Sequence, residues 1–181
     1  MVLCDFDGTT CVYDVGGALL NRYAADGWKA IDREYLQGKT GSRSAYSRIE
    51  PFLSGDIESI KSFAISRSKI ARGFRRFYRL CASRGIDVKI LSDGFDVYIR
   101  AILKHRGLGD IDFYANTLAV DADGKMTISF PGENLLCGRC GNCKSHILSA
   151  YRLRYEKIIY VGDGQSDVCP SRQADVIFAR D

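Results

Sequence analysis

Two carboxylates one residue apart, Asp5 and Asp7, stand where an apolar run (Val2, Leu3, Cys4) meets Gly8, Thr9 and Thr10. On a strand, residues i and i+2 share a face, so both carboxylates emerge together at the strand's end. Close carboxylates are costly to hold unless a cation or an arriving group offsets their repulsion. Such a pair suits an aspartate nucleophile, a neighbouring acid or base, and a divalent metal. Taken alone, the stretch also fits an acidic turn after an edge strand. Three further places carry matching chemistry: Ser92-Asp93-Gly94, Lys144, and the run Gly162-Asp163-Gly164-Gln165-Ser166-Asp167. Together they offer a hydroxyl, backbone amides and an ammonium for anionic oxygens, and more carboxylates for a cation.

The elements needed to position these groups are legible around them. Apolar runs at 2–4, 87–91, 157–161 and 175–179 read as buried strands, three of them ending in one of the polar turns above. Helical periodicity follows Gly94 through Val97, Ile99, Ile102 and Leu103, and covers about 144–154 and 168–174. Segments 113–120 and 125–130 flank Asp121-Ala122-Asp123-Gly124, a hairpin signal. Strands alternating with helices imply an α/β fold, a Rossmann-like parallel sheet with helices on both faces, and ligands in such a sheet bind beyond the strands' carboxyl ends. Residues 14–79 show helical patterns and no convincing strand, so they read as a helical cap inserted after the first strand. The expected domains are therefore a core of 1–13 with 80–181, and a cap of 14–79. The clearest amphipathic helix is expected over 68–83, with Ile70, Phe74, Phe77, Tyr78 and Cys81 on one face and Arg72, Arg75, Arg76 and Arg79 on the other.

A chain of 181 residues can bury one good core with a modest insertion. With 46% hydrophobic and 27% charged residues it is an ordinary globular composition, which sets disorder and fibre aside. A net charge of +4 is compatible with an anionic substrate and too small to argue for nucleic acid. No apolar stretch has the length of a membrane span, and no leader precedes the first strand, so a cytoplasmic protein is expected. Seven cysteines, an odd number, argue against a disulfide framework. Three of them form CxxCxxC (Cys137, Cys140, Cys143), with His146 close by; a zinc site and a structural or redox-sensitive loop both fit this spacing.

The four motifs, in the order Asp5-Phe6-Asp7-Gly8-Thr9, Ser92, Lys144 and Gly162–Asp167, resemble those of the haloacid dehalogenase (HAD) superfamily of phosphatases. The helical insertion is similar to the cap of the phosphoserine-phosphatase-like subgroup. Leu91–Asp96 and Tyr160–Asp167 look most like its methionine-salvage branch, the diketo-methylthiopentyl-phosphate phosphatase-like proteins. The resemblance implies a magnesium-dependent phosphoric monoester hydrolase in which Asp5 attacks phosphorus and becomes an aspartyl phosphate. Asp7 would protonate the leaving oxygen and then activate water. Mg2+ would be held by Asp5, the Asp7 carbonyl and Asp163, with Asp167 behind them orienting Lys144 or a metal-bound water. Ser92, Asp93, the Gly94 amide, Lys144, Gly8 and Thr9 would surround the phosphate. Asp14 stands nine residues past the nucleophile, where phosphoserine phosphatases carry a glutamate for the substrate amine. Arg48 would be the counterpart of a cap arginine that meets the substrate carboxylate.

The expected partner is a small phosphate ester, led by a methylthiopentyl-type or sugar-like phosphate, with phosphoserine as the alternative. A second class of reading makes the Arg72–Arg79 face a nucleic-acid surface, or part of a polynucleotide-end phosphatase. A non-catalytic phosphate-binding scaffold and a phosphotransferase remain open at this stage. Relatives of this kind often continue past the final strand into another helix, whereas this sequence stops at Asp181.

Overall fold

The computed structural model describes residues 1–180. Six strands make one sheet in the order β4-β3-β2-β1-β5-β6. They are β1 (Val2–Cys4), β2 (Val88–Phe95), β3 (Phe113–Val120), β4 (Met126–Ser129), β5 (Ile159–Gly162) and β6 (Val176–Ala179). All neighbours pair parallel except the β3–β4 hairpin, which is antiparallel. The central β1 is buried along its whole length, which explains its uninterrupted apolar sequence.

Helices α1 (Val15–Tyr23), α2 (Trp28–Leu36), α3 (Ser42–Ile49) and α4 (Ile57–Arg67) follow β1. Asp14 caps α1 and Asp56 caps α4, each accepting amide hydrogens from the first turn. The chain leaves the sheet side after Cys11 and returns through a Cys11–Ile70 bridge, with the Ala71 amide donating to the Thr10 carbonyl at 2.9 Å. Helix α5 (Phe74–Ser83) packs against β2. The boundary expected at residue 79 thus falls inside a helix that lies along the sheet.

The amphipathic helix expected from Ser68 begins only at Phe74. Gly73, with φ +88°, sits in the left-handed region just before it, and residues up to Ala71 are spent pairing with the loop that follows β1. Ser92-Asp93-Gly94 is likewise not a turn after β2 but the last part of the strand. A register shift between Leu91 and Phe95 marks a bulge there. Helix α6 (Asp96–His105) follows at once, and α7 (Lys144–Arg152) and the short α8 (Val168–Ser171) complete the α/β layers.

One apolar cluster runs from Phe95, Ile99 and Ile102 through Leu19, Leu20, Trp28 and Ile49, so the inserted helices share a core with the sheet. A second, on the other face, joins Leu3, Leu91, Leu148 and Tyr160 under α7. No helix is long and apolar enough to cross a membrane among the described residues.

Candidate active site

The site forms where β1, β2 and β5 end side by side. The Asp5 amide donates to the Val161 carbonyl at 2.8 Å, extending the β1–β5 ladder to the nucleophile candidate. The Thr10 hydroxyl donates to the Asp5 carbonyl at 2.7 Å and fixes the turn from below. Gly8 has φ +77°, and a Cβ added there would stand 2.2 Å from Asp163 Oδ2, so only glycine allows the two loops to approach. Thr9 Oγ1 donates to Asp163 Oδ1 at 2.5 Å across the same gap.

Lys144, the first residue of α7, projects into this floor with 2% of its side chain exposed. Its ammonium donates to Asp5 Oδ1 at 2.5 Å, Asp167 Oδ1 at 2.7 Å and Ser166 Oγ at 2.9 Å. Asp167 is held in turn by the Asp163 and Gly164 amides at 3.1 and 3.0 Å and by the Tyr160 hydroxyl at 2.5 Å. Burial pushes Asp5 up to about 7, against the opposing pull of Lys144. Burial also disfavours the Lys144 ammonium, but Asp5, Tyr160 and Asp167 outweigh it and raise its pKa well above the usual lysine value. Asp167 behaves oppositely to Asp5: burial raises it, yet Lys144 and the hydrogen bonds hold it below the ordinary carboxylate value.

Asp7 turns away from this triad. Its Oδ1 accepts from the Val15 amide at 2.8 Å and its Oδ2 from the Tyr98 hydroxyl at 2.5 Å. Burial lifts it to about 6, with both of those donors pulling down. Ser92 is buried beside it, its Oγ accepting from the Gly94 amide at 3.0 Å. Asp5, Asp163 and Asp167 each bring a carboxylate oxygen within 4.8 Å of the others, a set of hard oxygen donors that fits a divalent cation such as magnesium or calcium. The donor chemistry thus suits the metal that the sequence implies.

These groups open into a cleft of about 400 Å³. One wall is the floor just described; the other is built from the inserted helices, by Leu20, Tyr35, Leu36, Tyr46 and Ile49. A larger groove of about 720 Å³ lies along β2, β3 and α6, and two of its cations are already engaged. Lys89 pairs with Asp112, and Arg100 lies over the Phe113 ring.

Two expected roles meet a different arrangement. Arg48 does not line the cleft: it pairs with Glu34 at 2.6 Å, with both side chains more than 40% exposed. The helical spacing of α3 turns it outward while Ala45 and Ile49 turn in. Arg48→Ala is therefore expected to leave kcat/KM for any small phosphate ester within about twofold of the parent, as removal of an exposed ion pair should; a tenfold loss in that assay would contradict this placement. Asp93 reaches the cleft wall, but its carboxylate accepts from the Asn142 amide at 3.0 Å and Asn116 Nδ2 at 3.2 Å, which makes it a strut rather than a phosphate ligand. Asp14 does line the cleft, with its Oδ1 committed to the Gly17 amide at 2.8 Å. Cys137 is exposed, Cys140 half-buried and Cys143 buried. The one three-ligand group among the described residues is the aspartate set.

Sequence reasoning missed Tyr98, Tyr160, Ser166, Asn116, Asn142 and Asp32. Ser166 lies inside a quoted motif and could have been found there. Tyr160 also had a signal: it shares a strand face with Gly162, just ahead of the acidic turn. Tyr98, Asn116 and Asn142 carry no spacing signal, because their partners are distant in the chain, and nothing in the spacing marks Asp32, which lines the cleft.

Residues 54–181 match the family model described as Putative Phosphatase. The chain belongs to that family. Among its curated relatives is a 2-hydroxy-3-keto-5-methylthiopentenyl-1-phosphate phosphatase from Brevibacillus brevis, 27% identical over 183 residues, covering 99% of this chain and 82% of the relative. Another of the same name, from Exiguobacterium sibiricum, is 29% identical over 185 residues and covers 99% and 83%. Among solved structures, a phospho-aspartyl intermediate analogue of phosphoserine phosphatase superposes with a TM-score of 0.72 at 23% identity, over 98% of this chain and 84% of the other. A phosphoserine phosphatase from T. onnurineus gives 0.73 at 19% identity, over 100% and 84%. The fold of this family member is therefore the HAD-like α/β fold, and its class is phosphoric monoester hydrolase.

Proposed function

We propose that this chain is a magnesium-dependent phosphatase that hydrolyses a small phosphate ester with an apolar tail through an aspartyl-phosphate intermediate. The observation that carries the mechanism is a cleft floor of Asp5, Ser92 and Asp163 with Asp7 beside them and the buried Lys144 ammonium bonded to Asp5 from beneath. Asp5 Oδ2, the oxygen not bonded to Lys144, is the natural attacking atom. Asp7, raised by burial, holds a proton for the leaving oxygen and takes one back from the water that opens the intermediate. Lys144, Ser92 and the Gly94 amide would take phosphoryl oxygens as charge spreads over them. Asp5, Asp163 and the Asp7 carbonyl would hold magnesium, since Asp167 is already committed to Lys144, Tyr160 and two amides. The ion, when bound, would neutralise phosphoryl charge.

The cleft wall supports the choice of substrate. Leu20, Tyr35, Leu36, Ala45, Tyr46 and Ile49 offer an apolar and aromatic surface. Among the described residues the lining includes Asp14 and Asp32 but no lysine or arginine. A phosphoserine carboxylate would find no cation there and two acids. An alkyl or thioether tail would gain about 0.8 kcal/mol for each methylene buried, which agrees with the methylthiopentenyl phosphate named for the relatives. We read α1–α4 as a lid over this cleft, within residues 14–79, that excludes water and selects the leaving group. A cytoplasmic place of action is in keeping with seven free thiols.

Phosphate release from a panel of esters tests both parts. Turnover is expected to vanish on chelation and return with magnesium. A thioether-tailed or alkyl phosphate should exceed phosphoserine in kcat/KM by at least about tenfold, the equivalent of 1.4 kcal/mol of differential binding. A preference for phosphoserine would overturn the substrate reading, and turnover that survives chelation would overturn the metal.

A further inference from the structure

Tyr98 lies in the first turn of α6 and is fully buried, yet its hydroxyl is spent on a residue 91 positions away in sequence, Asp7 Oδ2, at 2.5 Å. The ring has little freedom. It stands edge-on to Phe95 at 6.5 Å and tilted against Phe6 at 6.1 Å. Around the hydroxyl, glycines clear the space: a Cβ on Gly94 would meet it at 1.8 Å and one on Gly16 at 3.2 Å. A phenol sunk this deeply ordinarily needs a partner, and here the partner is the group that would handle protons.

The other Asp7 oxygen is taken as well. Oδ1 accepts from the Val15 amide at 2.8 Å and the Gly16 amide at 3.4 Å, at the start of α1. Two donors on Oδ1 leave it no lone pair for a proton. Oδ2 has one donor, Tyr98, and one lone pair remaining; a Cβ on Gly94 would stand 3.1 Å from it, and both residues line the cleft.

We propose that Tyr98 is a positioning residue for Asp7: with the α1 amides it clamps the carboxyl so that Oδ2 is the atom that gives its proton to the departing oxygen. This rests on the reading of Asp7 as proton donor. As Asp5 bonds to phosphorus, the bond from phosphorus to the alcohol oxygen breaks and its electron pair stays on that oxygen. The oxygen takes the proton of Asp7 Oδ2 and leaves as the alcohol. Asp7 is then a carboxylate, met by the Tyr98 O–H and the Val15 N–H. Water attacking the aspartyl phosphate returns a proton to Oδ2 as the bond from phosphorus to Asp5 breaks. Without the phenol the carboxyl could rotate about its last torsion, a broad one, and present Oδ2 in the wrong direction.

The test compares two esters on Tyr98→Phe and on Asp7→Asn in the full chain with magnesium. An alkyl phosphate leaves as a basic alkoxide and needs the proton; p-nitrophenyl phosphate leaves as a stable phenolate and does not. Because kcat/KM reports only the steps through alcohol release, the second half-reaction does not blur the result. For Tyr98→Phe, kcat/KM for the alkyl ester is expected to fall roughly 10- to 100-fold, a part of the 10²–10⁴ that general acid–base catalysis supplies, with the aryl ester within about threefold. Inhibition by inorganic phosphate and the melting temperature, measured alongside, are expected to stay near the parent. Equal losses on both esters, no loss on either, or a loss of phosphate inhibition and melting temperature together would overturn the proposal. If Asp7→Asn itself hits both esters alike, the proton-donor reading fails first; if it is selective for the alkyl ester and Tyr98→Phe is not, only the role of Tyr98 fails.

Discussion

Asp5→Asn is expected to abolish turnover, by roughly 10⁴-fold or more, as removal of a covalent nucleophile does elsewhere. The fold should survive it. The contacts that seat this residue are made by its backbone, through the Val161 carbonyl and the Thr10 hydroxyl and amide, and an amide side chain preserves its shape. Lys144 keeps a second carboxylate, Asp167, at 2.7 Å, so its ammonium is not stranded. Acid-quenched wild type incubated with substrate should yield a phosphorylated peptide containing residue 5, and the variant none. Turnover surviving within about tenfold would place the nucleophile elsewhere and leave Asp5 as a metal ligand only.

Lys144→Met should lose both stability and activity. This ammonium sits between two buried carboxylates, and removing it leaves Asp5 and Asp167 facing each other and the nearby Asp163 without a counter-charge. Breaking a buried pair by deleting one partner costs about 3–5 kcal/mol, which in a domain of this size lowers the melting temperature by roughly 10 °C. The methionine matches the stem in volume, so the loss is electrostatic rather than a cavity effect. Part of it should be recovered in millimolar magnesium, because a cation bound by the aspartates replaces the missing charge. Activity should drop about 10²- to 10³-fold, the scale of one lost oxyanion donor. An unchanged melting temperature in the metal-free protein would mean the aspartates are protonated or solvated in solution and the buried triad does not carry the stability assigned to it.

Much of this was legible in the chain because its information was local. The apolar run before Asp5, the alternation around Asp121–Gly124 and the strand before Asp163 each declare an element within a few residues, and the polar turns at strand ends declare the cleft. Errors arose where local pattern and long-range pairing compete. Ile70 has the right spacing for the helical stripe of α5, but the pairing of residues 69–71 with residues 10–12 claims it for an extended segment. Ser92-Asp93-Gly94 has turn composition, but pairing of Phe95 with Asn116 keeps it in the sheet.

Sequence alone named the polar groups that the cleft brings together, their order, and the sheet that aligns them, because carboxylates, glycines and strand ends recur at spacings set by the backbone's own period. Only the tertiary structure decided how each group is held. Nothing in the spacing of Asp7 names Tyr98, nor does Asp167 name Tyr160, nor Asp93 name Asn116 and Asn142. The same is true of Arg48, whose type suits a substrate carboxylate but whose helix face turns it to Glu34. Partnership depends on which faces meet when a helix settles on a sheet, and in a low-dielectric interior that pairing decides protonation, orientation and substrate charge.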